Sequence, residues 1–221
     1  MESYQEHSLS GRVFHKLRDD ILDGKYQKND ELRETAIGQE LGVSRTPVRE
    51  ALRQLELEGL VRIVPNKGAY VTGISIKDVR DIYIIRSKLE GLCARWATEY
   101  ISPEQIDQME EIILLSEYHS HKAQEESKQV TVLDGKFHDI LYEASNSRIL
   151  EHVLSDFHRY VLMARKTSVG SKLRAQQSVE EHREILEAIK QKDADKAEQL
   201  ANQHMLRVME HLHNQEGYEE V

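Results

Sequence analysis

Residues 41–53 read Leu-Gly-Val-Ser-Arg-Thr-Pro-Val-Arg-Glu-Ala-Leu-Arg, and this run constrains the fold more than any other part of the chain. Gly42 allows a tight turn after an apolar helix end. Ser44 or Thr46 can cap a new helix, and Pro47 suits its first position, where the missing N–H has no helical partner. Val48, Leu52 and Leu55 then stand at i, i+4 and i+7, which is one buried stripe. Arg45 and Arg49 lie one turn apart on a different face. The order of parts is that of a helix-turn-helix unit, and arginines at the N-terminal end of its second helix can reach phosphates and guanine edges in a major groove.

The next segment extends the pattern. Two β-prone runs, residues 60–64 and 69–72, flank Pro65-Asn66-Lys67-Gly68, a turn sequence between Val, Ile, Tyr and Thr segments. A hairpin directly after a recognition helix is a wing. Its tip carries Lys67 beside Gly68, a cation next to a residue that lets backbone approach closely.

Residues 10–72 resemble the winged-helix domain of the GntR family of bacterial transcription regulators. The stretch Val43-Ser44-Arg45-Thr46-Pro47-Val48-Arg49-Glu50-Ala51-Leu52, followed by Leu55, Glu58, Gly59 and Leu60, carries the resemblance. It implies operator contacts by Ser44, Arg45, Thr46 and Arg49, and by Lys67 and Gly68 on the wing. Many relatives have an arginine where Thr35 stands here; Arg33 is the candidate to replace that contact.

The whole chain has a formal net charge of −9, which at first opposes DNA binding. The acidity is uneven. Residues 1–75 hold 11 Lys/Arg and 12 Asp/Glu, whereas residues 76–221 hold 19 and 27. Within residues 41–70 there are five cations and three anions, a local basic patch of the kind phosphate binding needs. No apolar run approaches the roughly 20 residues that cross a bilayer. The N-terminus has neither a basic start nor an apolar core, so no secretory signal is expected. The single cysteine, Cys93, has no intrachain disulfide partner. These features lead to the expectation of a cytoplasmic protein without membrane association.

Only three prolines occur among the 221 residues, so long helices can form. Ser75-Ile76-Lys77-Asp78 and Ser102-Pro103-Glu104-Gln105 read as helix starts. Further helices are predicted near residues 104–123, 127–145, 148–164, 172–190 and 193–214. Asn146 falls where a C-terminal cap would sit, and residues 166–171 read as a loop. The fold class that follows is mainly α: an N-terminal winged helix-turn-helix in residues 1–74, then an all-α antiparallel bundle of about six helices in residues 75–221.

Asp134 and His138 are spaced i, i+4, so they project from one helix face. His182 stands among Val179, Ile185, Leu186 and Ile189. His204 stands among Leu200, Ala201, Met205 and Val208. Three imidazoles and a carboxylate brought from three helices would hold a divalent transition ion, with zinc or nickel favoured and manganese or iron also suited. With 11 histidines in the chain, any one of them is more often a core or surface residue. The neighbourhood adds weight. Leu133 to His138, Asn146, Glu181-His182-Arg183, Ile185-Leu186, Ala188-Ile189 and His204 resemble the FadR-type C-terminal effector domain, FCD. The resemblance implies Asp134, His138, His182 and His204 as metal ligands, and it places Arg86 and Asn146 at the effector pocket, where a guanidinium suits a carboxylate. The plainer reading of Arg86 is an i,i+4 ion pair with Glu90 on a solvated helix face. His119, His121, His152, His158, His211 and His213 lie outside the matched stretches, and most are expected to be solvated.

The resulting expectation is a repressor that binds operator DNA as a homodimer and responds to a small organic acid held at the metal. A metal-dependent enzyme fused to a DNA-binding module is the alternative. A structural metal bundle without a ligand is a third. No nucleophile elbow or phosphate-binding loop supports the enzyme.

Overall fold

The computed structural model of the chain describes residues 8–65, 67–122, 127–165 and 172–215. The chain divides into two compact units, residues 1–75 and 76–221.

The first unit contains α1 (Leu9–Leu22), β1 (Glu31–Leu32), α2 (Glu34–Leu41), α3 (Arg45–Leu57), β2 (Val61–Val64) and β3 (Gly68–Val71). Ser8 caps α1, its hydroxyl accepting from the Gly11 N–H at 2.9 Å. Val13, Leu17 and Ile21 of α1 are buried together with Val48, Ala51, Leu52 and Leu55 of α3, the stripe that helical spacing predicts. The strands form an antiparallel sheet in the order β1-β3-β2. Val61 pairs with Val71 and Val64 with Gly68, which makes β2–β3 the hairpin expected as a wing.

The turn between α2 and α3 depends on two glycines. Gly42 caps α2 at φ +66°, a left-handed conformation that costs a glycine little. Gly38 lies under the turn, where a Cβ would stand 2.9 Å from the Val43 carbonyl oxygen. The Val43 N–H in turn donates to the Gly38 carbonyl at 2.9 Å. At the start of α3, Ser44 holds the cap position without a side-chain capping bond. Arg45 is the first helical residue, so Pro47 occupies the third position rather than the first. Nothing is lost by this shift, because none of the first-turn N–H groups has a helical acceptor.

The second unit is helical: α4 (Ile76–Tyr100), α5 (Pro103–Ser120), α6 (Ser127–Ala144), α7 (Arg148–Arg165), α8 (Lys172–Lys190) and α9 (Ala194–Gln215). The capping box at α5 forms as its sequence predicts. Ser102 Oγ accepts from the Gln105 N–H at 3.2 Å, and the Gln105 side chain accepts from the Ser102 N–H at 3.0 Å. Asn146 turns the chain between α6 and α7 with φ +54°. The loop predicted at residues 166–171 lies outside the described residues.

The core of this unit combines Cys93, Ala94 and Ala97 of α4 with Ile113, Phe137, Leu141, Leu154, Ile185 and Ala201 from the surrounding helices. Helix α4 runs close along α9, and Gly91 makes that possible: a Cβ there would come within 2.7 Å of the Asn202 side chain. Cys93 is fully buried, and burial pushes its thiol up to about 12, so it is a packing residue and not a reactive one.

Replacing Gly38 with valine forces the helix-turn-helix turn open. We expect Gly38→Val to destabilise the first unit by about 2 kcal/mol, typical of an added side chain with no room. Urea denaturation reads this directly, and a midpoint equal to wild type would show that the turn adapts freely.

Candidate functional site

Two groups of polar side chains stand out, one in each unit. In the first, the N-terminal end of α3 carries Ser44, Arg45, Thr46 and Arg49, all exposed. Arg45 and Arg49 are both held by Glu34, the first residue of α2. Arg45 donates through Nε and Nη2 to Glu34 Oε2 at 3.1 and 3.0 Å, and Arg49 donates to Oε1 and Oε2 at 2.9 and 3.0 Å. The bond from Arg49 is the main reason that the Glu34 carboxyl titrates below its ordinary value. One carboxylate therefore spreads two guanidinium groups in a fixed fan across the end of the helix. Arg33 leans away to Glu31, 2.8 Å distant. Together Arg33, Arg45, Arg49 and Arg53 line a groove of about 380 Å³ that runs to Ile63 and Gly68 on the wing. Gly68 has φ +118°, and Lys67 is exposed at the hairpin tip. The sequence reading missed Glu34 and Arg53. A carboxylate at the start of α2 gives no local sign that it will meet residues 11 and 15 positions away.

In the second unit, Asp134 and His138 on α6, His182 on α8 and His204 on α9 converge, offering one ligand atom each, all within 4.8 Å of one another. The three imidazoles are buried and Asp134 is partly exposed. His182 Nε2 lies 3.2 Å from His204 Nε2 and 3.8 Å from Asp134 Oδ1. Two nitrogens at right angles around one ion, each about 2.1 Å from it, would be roughly 3 Å apart, so the donor spacing fits a metal. Burial, reinforced by the neighbouring histidines, holds His182 well below the usual imidazole range, and burial likewise lowers His204. Neutral imidazole is the form that ligates.

Two further carboxylates orient the rings. Glu90 Oε2 on α4 lies 2.7 Å from His138 Nδ1, and Glu181 Oε2 on α8 lies 2.7 Å from His204 Nδ1. At His204 the bond at Nδ1 leaves Nε2 to face His182, the arrangement by which an outer carboxylate fixes a metal-binding histidine, while Glu90 stands beside His138 as its ion-pair neighbour. His182 is set instead by stacking on Phe137, with ring centroids 3.9 Å apart and planes 7° from parallel.

Arg86 and Glu90 do form an i,i+4 pair, 2.6 Å apart, but not on a solvated face: both are buried, at 2% and 1% exposure. Glu90 Oε1 also accepts from the Tyr142 hydroxyl at 2.8 Å. Burial would raise the Glu90 carboxyl, but Arg86, His138 and Tyr142 outweigh it and hold the group well below its ordinary value. Glu181 is held at about 2, where bonds from His204 and Arg174 outweigh burial. Asn146 is exposed at its helix corner, and no described contact ties its side chain to the cluster; its positive φ accounts for the residue type.

Among the histidines outside the matched motifs, His119, His158 and His211 are half-buried, and the His158 ring on α7 stands 6.4 Å from the His138 ring. Burial, then Arg86 and His138, lower it to about 4. His121 and His152 are exposed as expected, and the side chain of His213 lies outside the described residues.

Comparison with known proteins agrees with both units. Residues 9–71 match the family described as bacterial regulatory proteins, gntR family, and residues 81–207 match the FCD domain. The HTH-type transcriptional regulator YdhC of Bacillus subtilis is 30% identical over 201 residues, covering 91% of this chain and 89% of that protein. The HTH-type transcriptional repressor RspR of Escherichia coli is 28% identical over 205 residues, covering 91% and 88%. Among solved structures, McbR/YncC of Escherichia coli superposes with a TM-score of 0.70 at 22% identity, over 94% of this chain and 98% of that one, a likeness of fold.

Two outcomes follow from the buried cluster. His182 and His204 both titrate lower in the folded chain than the ordinary value of 6.5, so the unfolded chain takes up protons first. Their contribution to stability is present above about pH 6.5 and is lost as pH falls. Thermal melts of chelator-treated protein should show a lower midpoint at pH 5.5 than at pH 7.5; a flat profile would contradict the burial of neutral imidazoles. Separately, Glu181→Gln removes the charge behind His204, and zinc affinity measured by competition with a chromophoric chelator should fall 10- to 100-fold. Wild-type affinity in that variant would mean that the contact does not orient the ligand.

Proposed function

The chain belongs to the gntR family of bacterial regulatory proteins, with an FCD domain, and from that premise we propose that it is a sequence-specific repressor whose operator binding is controlled by a small carboxylate bound at a divalent metal. The observation that carries the reading is the convergence of Asp134, His138, His182 and His204, backed by two orienting carboxylates. Residues 1–74 are the DNA-reading part in this proposal, and residues 75–221 hold metal and effector and join two chains into a homodimer. The setting is the cytoplasm. No helix among the described residues is long and apolar enough to cross a membrane.

The four protein donors would hold the ion, with zinc or nickel best suited and manganese or iron also able to bind. In six-fold coordination four protein donors leave two positions, which water or an effector carboxylate can take; the ion supplies the charge that holds such an anion. Arg86, anchored by Glu90 and Tyr142, adds a fixed guanidinium nearby. The family to which the chain belongs consists of transcription regulators rather than enzymes, so the fused-enzyme alternative is set aside.

In the DNA-reading unit, Arg45, Thr46 and Arg49 face the major groove, while Ser44 and Arg33 contact backbone and Lys67 and Gly68 follow the wing. Losing a bidentate base contact costs about 1–3 kcal/mol and relaxes sequence preference. Operator binding by fluorescence anisotropy at fixed salt, with stoichiometry from sedimentation, tests this. We expect two chains per two-fold operator, weakened binding by Arg45→Ala and Arg49→Ala, and a change in affinity when carboxylates are added to zinc-loaded protein. Unchanged operator affinity in both variants would overturn the DNA-reading assignment, and indifference to every carboxylate would overturn the effector reading.

A further inference from the structure

We propose that His158 is an effector-contacting residue, donating a ring N–H to the carboxylate oxygen that the metal leaves free. The assignment rests on the effector reading above and adds a residue outside the short motifs that supply the four candidate ligands.

Helices α4, α6, α8 and α9 supply the metal donors and their orienting carboxylates. Helix α7 supplies none of these, yet it directs His158 at the same cluster. The imidazole lies over Gly135, the residue that follows the candidate ligand Asp134: a Cβ at position 135 would be 3.2 Å from His158 Nε2. A Cβ there would crowd the ring, which would have to give by a few tenths of an ångström. The charges that His158 senses are those of the cluster, namely Arg86, His138, Asp134 and Glu90. Its Nδ1 is buried and has no hydrogen-bond partner among the described residues. Such an atom is costly to leave unpaired and marks a place where a ligand group completes the bonding.

Ring positions separate this role from direct ligation. The rings of His138, His182 and His204 lie 4.6–5.4 Å apart, whereas His158 stands 6.4 Å from the His138 ring. It is outside the ligand circle and close enough to reach a molecule bound at that circle. The charge balance explains why an imidazole is needed. Arg86 is already engaged by Glu90 and by the Tyr142 hydroxyl, so a bound carboxylate still gains from a second donor. A divalent ion with Asp134 retains a single positive charge, which suits one carboxylate, and the second oxygen of that carboxylate needs a donor. His158 is placed to be that donor.

The experiment uses full-length zinc-loaded protein, with zinc and acetate as separate probes followed by titration calorimetry. Wild type is expected to bind acetate saturably. His158→Ala should keep its zinc affinity within about threefold and lose acetate affinity about tenfold or more, the size of one hydrogen bond to a charged oxygen. His158→Asn, whose amide N–H can take the place of Nδ1–H, should recover part of the loss. Gly135→Ala, which crowds the ring with His158 intact, should weaken acetate binding in the same direction. Undiminished acetate binding in both His158→Ala and Gly135→Ala would overturn the role of His158 while leaving the effector reading standing. A tenfold fall in zinc affinity in His158→Ala would also overturn it, by making His158 a ligand of the ion. Wild-type protein that binds zinc but takes no acetate would sink the effector reading itself, and the role of His158 with it.

Discussion

The second unit is organised around one buried carboxylate. Glu90 receives Arg86 and the Tyr142 hydroxyl on one oxygen and faces His138 on the other. A lone buried charge would be prohibitive, and so would a lone buried guanidinium. Each is tolerable because the other is there and because Tyr142 and His138 fill the remaining bonding directions. The network joins α4 to α6 at the level of the candidate metal site, so the position of His138 depends on a pair of residues 48 and 52 places earlier in the chain. Removing one partner alone would strand the other in a low-dielectric interior.

Glu181 repeats the device on the other side, with a difference. It orients His204 but is also tied to buried Arg174 and to Arg207, whose side chain reaches the surface. The candidate metal site thus has one support sealed within the core and one that reaches the edge of the bundle. Buried imidazoles packed against one another offer little mutual attraction. Their closeness is imposed by the packing of α6, α8 and α9 and by these two carboxylates.

In the first unit a carboxylate again does the arranging. Glu34 binds both recognition-helix arginines without burying them, since their side chains remain 63% and 52% exposed. Surface ion pairs of this kind add little stability. Their effect is geometric: a guanidinium held at a set angle would lose less freedom on binding an anionic or base-edge acceptor, as the proposed DNA contact requires.

Much of this was legible in the amino-acid order because helices and hairpins satisfy their backbone bonds locally. The stripe of Val48, Leu52 and Leu55, the capping box at Ser102, the hairpin around Lys67 and Gly68, and the shared face of Asp134 and His138 all follow from spacing within one segment. The resemblance to known regulators brought in His182 and His204, which no local rule joins to α6. The tertiary structure alone decided which helix faces meet. It buried Arg86 and Glu90 where spacing permitted a solvated pair, and it set His158 beside the cluster over Gly135. It paired Glu34 and Glu181 with partners that lie far off in the chain or are not marked by any motif. Such contacts depend on long-range packing of side chains, and the pattern along a single segment carries no record of it.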